Sequence, residues 1–404
     1  MVRGSSLLAL AAMLPVPGAA MCPGGMMGTP PEGHAPVPSM PQYNKDLADL
    51  DIQAVFADIK KLMTSSEECW PADFAHYGPF WVRLAWHCSG TYRESDGRGG
   101  CGGGRQRFDP EASWADNANL DQARGLLAPI KEKYGDGLSW GDLFTNAGTL
   151  AIQTMGGPVK EFCFGRIDEP DGTGSLDMGP SPQQEKYAPC PVNGLCEEPL
   201  GTDTIGLIYV NPEGVVAQDP ETKEWKPDPN PARSASHVRE VFARMGWTDE
   251  ETIALIGGGH AFGKSHGACP LGAGKCGSGE MQGKGNNTFT SGMEGPWTTA
   301  PTVWDNEFFR YTLEKNWEKH LGPGGHWQWR IKDAQGDEAK LMRLTTDMSI
   351  VEDPAFKKIV EKFASDQAAL DEAFSSAWFK LVTNGGRWSP NKRCVPGSEV
   401  ELVV

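Results

Sequence analysis

No apolar run in the 404-residue chain approaches the roughly 20 residues that a bilayer-crossing helix needs, so a helical membrane span is excluded. Basic residues are scarce: 37 Lys+Arg stand against 53 Asp+Glu, a formal net charge of −16. That sign repels nucleic acid and anionic lipid surfaces alike, which argues against either as a partner. No segment repeats another. Clean period-two alternation is rare, which argues against an all-β fold. The apolar share of 39% and charged share of 22% suit a globular chain with a real core, not a disordered or fibrous one.

What is abundant is glycine, proline and tryptophan. Gly (50) and Pro (31) make up about a fifth of the chain, so long loops separate the regular elements. Tryptophan, at 14, supplies bulk and an indole N–H that needs a partner when buried.

The N-terminus reads as a targeting peptide over 1–20: Arg3, an apolar stretch from Leu7 to Leu14, then small residues at Gly18, Ala19 and Ala20. The expectation is the secretory route, to the cell exterior or an organelle such as a plastid. A Pro/Gly-rich linker follows over 21–41, then one main domain over 42–390 and a tail over 391–404. Ten cysteines with a targeting peptide make disulfides an expectation. The short spacings Cys190/Cys196 and Cys269/Cys276 are the obvious pairs, although sequence leaves connectivity open.

Apolar i, i+3, i+4 periodicity predicts a first helix from Tyr43 to Leu62, then helices over 78–88, 119–133, 139–155, 233–245, 249–257, 354–364 and 366–382. Thr248 with Glu251 forms a capping box, and Asp353-Pro354 an N-cap followed by proline. Insertions fall at 166–204, 212–232 and 270–300. The fold class is mainly α.

Three stretches carry chemistry. In Phe80 to His87, Arg83 and His87 stand one helical turn apart with Trp86 beside them. A satisfied core histidine is the plain alternative for that pair alone. In Leu255 to Gly267, His260 follows three glycines in surroundings that would admit a flat cofactor. His260, His266, Cys269 and Cys276 offer four zinc ligands, but their 5-, 2- and 6-residue gaps match no standard zinc spacing. Gly97, Gly99 and Gly102 spell G-x-G-x-x-G, yet polar residues from Thr91 to Ser95 replace the strand that a dinucleotide site requires. Two helical histidine sites with tryptophans on a glycine-rich frame suggest haem between two lobes. With no Cys-x-x-Cys-His present, haem b is the candidate.

At these residues the chain resembles the class I haem peroxidases, and among them most the catalase-peroxidases. The segments WVRLAWHCSGTYRESDGRGGCGGGRQRF, SWADNANLDQARGLLAPIKEKYG, GLIYVNPEG, ALIGGGHAFGKSHG, TSGMEGPWTTAPTVWDNEFF and LTTDMSIVEDP carry the likeness over roughly residues 45 to 385. The resemblance implies a two-lobed fold, distal lobe about 42–165 and proximal lobe about 205–390. Arg83, Trp86 and His87 match the distal triad, Asn117 the residue holding the distal histidine, and Asp116 the acidic residue of the substrate channel. His260 matches the proximal iron ligand, with Trp304 and Asp347 as its hydrogen-bonded partners. Lys264, Ser265, His266 and Ser291 fall where the family contacts haem propionates or the proximal side. Tyr209 and Met245 match the residues covalently joined to the distal Trp86 in a Trp–Tyr–Met side-chain cofactor.

The activity so implied is hydrogen peroxide removal as part of an oxidative stress response, yielding oxygen and water, alongside oxidation of a small-molecule electron donor. A donor-dependent class I peroxidase, using ascorbate, cytochrome c or phenolics, is the alternative; an inactive haem-binding scaffold is a distant third. A single-domain form is expected, and a homodimer is the expected assembly. Two departures stand out: typical bacterial members carry a second, haem-free half, and Asn384 occupies the place of the family's mobile arginine.

Overall fold

Caps and apolar spacing set where the helices begin and end. The computed structural model describes residues 33, 35–67, 70–114, 117, 119–176, 178, 211–223, 225–265 and 292–400. Among the described residues eleven α-helices carry the fold: α1 (Met40–Asp49), α2 (Ile52–Met63), α3 (Gly78–Ser89), α4 (Leu120–Tyr134), α5 (Trp140–Thr154), α6 (Pro231–Arg244), α7 (Asp249–Gly259), α8 (Glu307–Glu314), α9 (Thr345–Glu352), α10 (Pro354–Ser365) and α11 (Gln367–Thr383). The mainly-α class follows. None of these helices is long and apolar enough to cross a membrane.

Both cap signals form. Thr248 accepts from the Glu251 N–H while the Glu251 carboxylate accepts from the Thr248 N–H, closing the box on α7. Asp353 caps α10 by accepting from the N–H groups of Ala355 and Phe356. The single helix expected from Tyr43 to Leu62 is instead two. Leu50 is extended, and Asp51 accepts from the Ala54 N–H at 3.0 Å to start α2 afresh. Periodicity misses this break because Leu47, Leu50 and Ile52 are all buried on either side of it.

Strands are short and antiparallel. β1 (Glu161–Arg166) pairs with β9 (Trp388–Pro396), β2 (Val216–Gln218) with β3 (Trp225–Pro227), and β4 (Lys264–Ser265) with β5 (Gly295–Pro296). β6 (Trp317–Leu321), β7 (Trp327–Ile331) and β8 (Met342–Arg343) form a meander. The reading of 391–404 as a tail needs correction for its first part. Residues 391–396 are in β9, and Cys394 lies opposite Cys163 of β1 and forms a disulfide with it. A second disulfide joins Cys88 and Cys101. All four expected partners, Cys190, Cys196, Cys269 and Cys276, lie outside the described residues.

Trp81 and Leu84 of α3, Phe144 and Leu150 of α5, and Phe374 and Leu381 of α11 are fully buried in one continuous core. Beneath it Arg166 pairs with Asp142 at 2.8 Å, both buried, and Tyr43 donates to the Arg166 carbonyl oxygen. These bonds tie α1 and α5 to β1.

Candidate active site

His87 sits in the last turn of α3, almost fully buried, with Nδ1 at 2.9 Å from Asn117 Oδ1. The amide orientation is set from behind: Asn117 Nδ2 donates to the Glu111 carbonyl oxygen at 2.6 Å, which turns Oδ1 toward the ring. An oxygen facing Nδ1 requires an N–H there, so the lone pair resides on Nε2. The Glu111 carboxylate, itself buried, accepts from Arg105 Nε at 3.2 Å and from Ser175 Oγ at 2.5 Å. Burial, reinforced by the Arg83 guanidinium, pushes the His87 imidazole well below its ordinary value of 6.5, and the Asn117 bond only partly opposes this. The ring is therefore a neutral base at pH 7. Trp86 stacks on Phe242 at 5.6 Å, and the fully buried Met245 lies three residues beyond Phe242, where α6 ends.

His260 caps the C-terminus of α7. Its Nδ1 is 2.8 Å from Asp347 Oδ1, its ring stacks on Trp297 at 4.2 Å and 10°, and the edge of Phe308 closes a third side. Asp347, fully buried at the start of α9, also accepts from Trp297 Nε1 at 3.1 Å and from the Leu344 N–H at 2.8 Å. Burial opposes ionisation of this carboxyl, but His260, Arg343 and the Leu344 N–H outweigh it and hold Asp347 below the usual carboxylate value.

The tryptophan here corrects the expectation. Trp304 does not meet Asp347; it donates from Nε1 to Asp371 at 2.8 Å, on α11. Both indoles lie in one Pro/Thr-rich stretch, and backbone pairing decides between them. β5 ends immediately before Trp297 and pairs with β4, which starts four residues after His260, whereas the Trp304 N–H bonds the Met155 carbonyl oxygen beyond α5.

Sequence reasoning also missed Arg343. It is fully buried and donates to Thr312 Oγ1 and to the carbonyl oxygens of Trp297, Met342 and Phe308. Burial lowers it to about 10, with Asp347 and Glu307 opposing. It fixes the backbone that presents Trp297. A lone arginine between Met342 and Leu344 was the available signal.

The glycines before His260 divide the work. Side chains at Gly257 and Gly258 would collide with the rings of Phe309 and Phe374, so those two serve packing. Among the described residues a Cβ built on Gly259 meets nothing within 4 Å, and the His260 side chain keeps 28% exposure. Open space thus adjoins the imidazole, and with Nδ1 on the Asp347 carboxylate its Nε2 is the ring nitrogen that could meet an iron-bearing flat cofactor. Lys264 pairs with Glu294 at 2.8 Å and approaches Asp73 at 3.9 Å, and Ser265 belongs to β4. Asp116, Tyr209, His266 and Ser291 lie outside the described residues. The Gly97–Gly102 fingerprint leads into a single turn of 3-10 helix, Cys101–Gly103, with no strand before it.

The peroxidase family model matches residues 55–366. The chain is 43% identical over 365 residues to a catalase-peroxidase of Salinibacter ruber, covering 84% of this chain and 49% of that protein. Similar relatives are catalase-peroxidases of Natronomonas pharaonis, 42% identical over 368 residues with 84% and 50% covered, and of Escherichia coli, 42% over 377 residues with 84% and 48% covered. The chain spans about half the length of these relatives.

Proposed function

Because the chain belongs to the peroxidase family, we propose that it removes hydrogen peroxide with a haem b ligated by His260, by catalase-peroxidase chemistry. Two peroxides give oxygen and water, and a small-molecule donor serves as alternative reductant. The observation that carries this reading is the pair of oriented histidines: a neutral His87 fixed by Asn117, and a His260 whose Nδ1 is engaged by a buried carboxylate.

Haem, when bound, supplies the iron that takes up peroxide and stores its oxidising equivalents. His87 Nε2 accepts the proton that peroxide loses on binding and returns it to the departing oxygen. Arg83 adds a permanent charge that stabilises the departing hydroxide. Asp347 draws on the His260 N–H, which makes the ligand more electron-rich, and Trp297 shares the same carboxylate. Trp86, Met245 and Tyr209 supply the three side chains of the Trp–Tyr–Met link.

Oxygen evolution from peroxide by the haem-loaded protein, with no donor added, tests the reading. Sustained release is expected, and Trp86→Phe should abolish it while sparing donor oxidation. Absence of oxygen with brisk donor oxidation would establish the donor-dependent alternative, which Asn384 in the arginine's place favours. Folding in an oxidising compartment is part of the proposal: every cysteine among the described residues is in a disulfide, which supports the secretory route.

A further inference from the structure

We infer that the Cys88–Cys101 disulfide is a positioning device for His87, holding the distal base in register with Asn117. Cys88 directly follows His87, and both half-cystines are 1% exposed. His87 lies in the last turn of α3, where backbone carbonyls run out of helical partners and fraying is the default. The final helical bond there is from the Gly90 N–H to the Trp86 carbonyl oxygen at 2.7 Å.

The far end of the bridge is seated on backbone. A side chain at Gly99 would lie 1.9 Å from the Thr91 carbonyl oxygen, and one at Gly102 would lie 2.6 Å from that of Gly385. The Gly100 N–H donates to Thr91 Oγ1 at 2.8 Å. Cys101 is thus wedged between the segment leaving α3 and the loop after α11. From the same wedge the chain runs on to Arg105, whose guanidinium holds Glu111, whose carbonyl oxygen in turn holds Asn117. The bridge therefore joins the segment bearing the base to the segment bearing its orienting partner. A shift of the last turn by about 1 Å would break the 2.9 Å His87–Asn117 bond, and misplacement of that size costs about 10²-fold in a reaction step.

This inference rests on the reading of His87 as distal base, and the experiment separates the two. The double variant Cys88→Ala/Cys101→Ala is compared with wild type and with Cys163→Ala/Cys394→Ala, which removes the bridge between β1 and β9. One readout is amide hydrogen exchange over residues 84–91, measurable with or without haem. The other is cyanide association to the haem-loaded protein, for which His87 Nε2 would take up the proton of hydrogen cyanide. The expected result is at least tenfold faster exchange at 84–91 than in the rest of the core and tenfold slower cyanide association in the first variant, with no such local excess in the second and cyanide association there as in wild type. If the first variant only melts at lower temperature, with exchange and cyanide association unchanged, the inference is overturned. It is equally overturned if both variants change alike. Should Cys88→Ala/Cys101→Ala not fold, Cys88→Val/Cys101→Ala, which refills the sulfur volume, takes its place. A wild type that fails to bind cyanide would sink the haem reading, while the exchange comparison still decides the bridge.

Discussion

Replacing Asp347 by Asn is the sharpest test of the proximal arrangement. The carboxylate accepts three donors, from His260 at 2.8 Å, Leu344 at 2.8 Å and Trp297 at 3.1 Å, and it has no exposure to water. Asparagine retains one acceptor oxygen. The less costly amide orientation leaves that oxygen with the Leu344 and Trp297 N–H groups, which share Oδ2 in the wild type, and places the NH2 toward His260. An NH2 there forces the ring into the opposite tautomer, with the proton on Nε2 and no lone pair for iron. One charge-assisted bond is lost, worth about 1.5–3 kcal/mol. The buried Arg343 also loses a nearby opposite charge. Together these effects set an expected cost of about 3–5 kcal/mol. Urea unfolding of the haem-free chain reads the stability change, and absorbance titration with haem reads the ligation. A loss under about 1 kcal/mol, with haem taken up as in the wild type, would refute the reasoning, since no buried three-donor carboxylate is so cheaply neutralised.

Peroxide consumption should stay active on its acid side to below pH 6.5, because His87 is held neutral under its ordinary value; the rate falls only as the ring gains a proton at lower pH. Arg83→Leu removes a like charge, so the midpoint of that acid limb should move up in pH, as well as lowering the rate; a pH–rate profile for each form checks both. Trp297→Phe should alter the iron–histidine vibration of the haem-loaded protein and Trp304→Phe should not, because only Trp297 shares the Asp347 carboxylate. Cys163→Ala/Cys394→Ala should cost about 2–4 kcal/mol in urea unfolding, since the bridge closes a long loop of the unfolded chain, with peroxide consumption per haem retained. Asp142→Asn leaves the buried Arg166 guanidinium its Cys163 and Val382 carbonyl partners but removes its counter-charge, and should cost about 3–5 kcal/mol in the same assay.

The local chemistry of the chain was legible in its residues. Apolar spacing placed α3, α5, α7, α10 and α11 within a few residues, and Thr248 and Asp353 marked their helix starts, because caps and periodicity are short-range properties. The residue types at Arg83, His87 and His260 stood out for the same reason, each in an unusual local setting, whereas Asn117 and Asp347 were legible only through the likeness to the class I haem peroxidases. Pairings across the chain were another matter. Which tryptophan shares Asp347, which cysteines join, and whether residues 391–396 hang free all depend on partners brought together from distant parts of the chain. Arg343 shows the same limit, since a buried cation looks like a surface one until four acceptors close around it. Sequence determined which side chains have the chemistry for the site. Tertiary structure alone decided which of them meet, because a hydrogen bond or disulfide forms only within a few ångströms and short-range spacing holds no such distance.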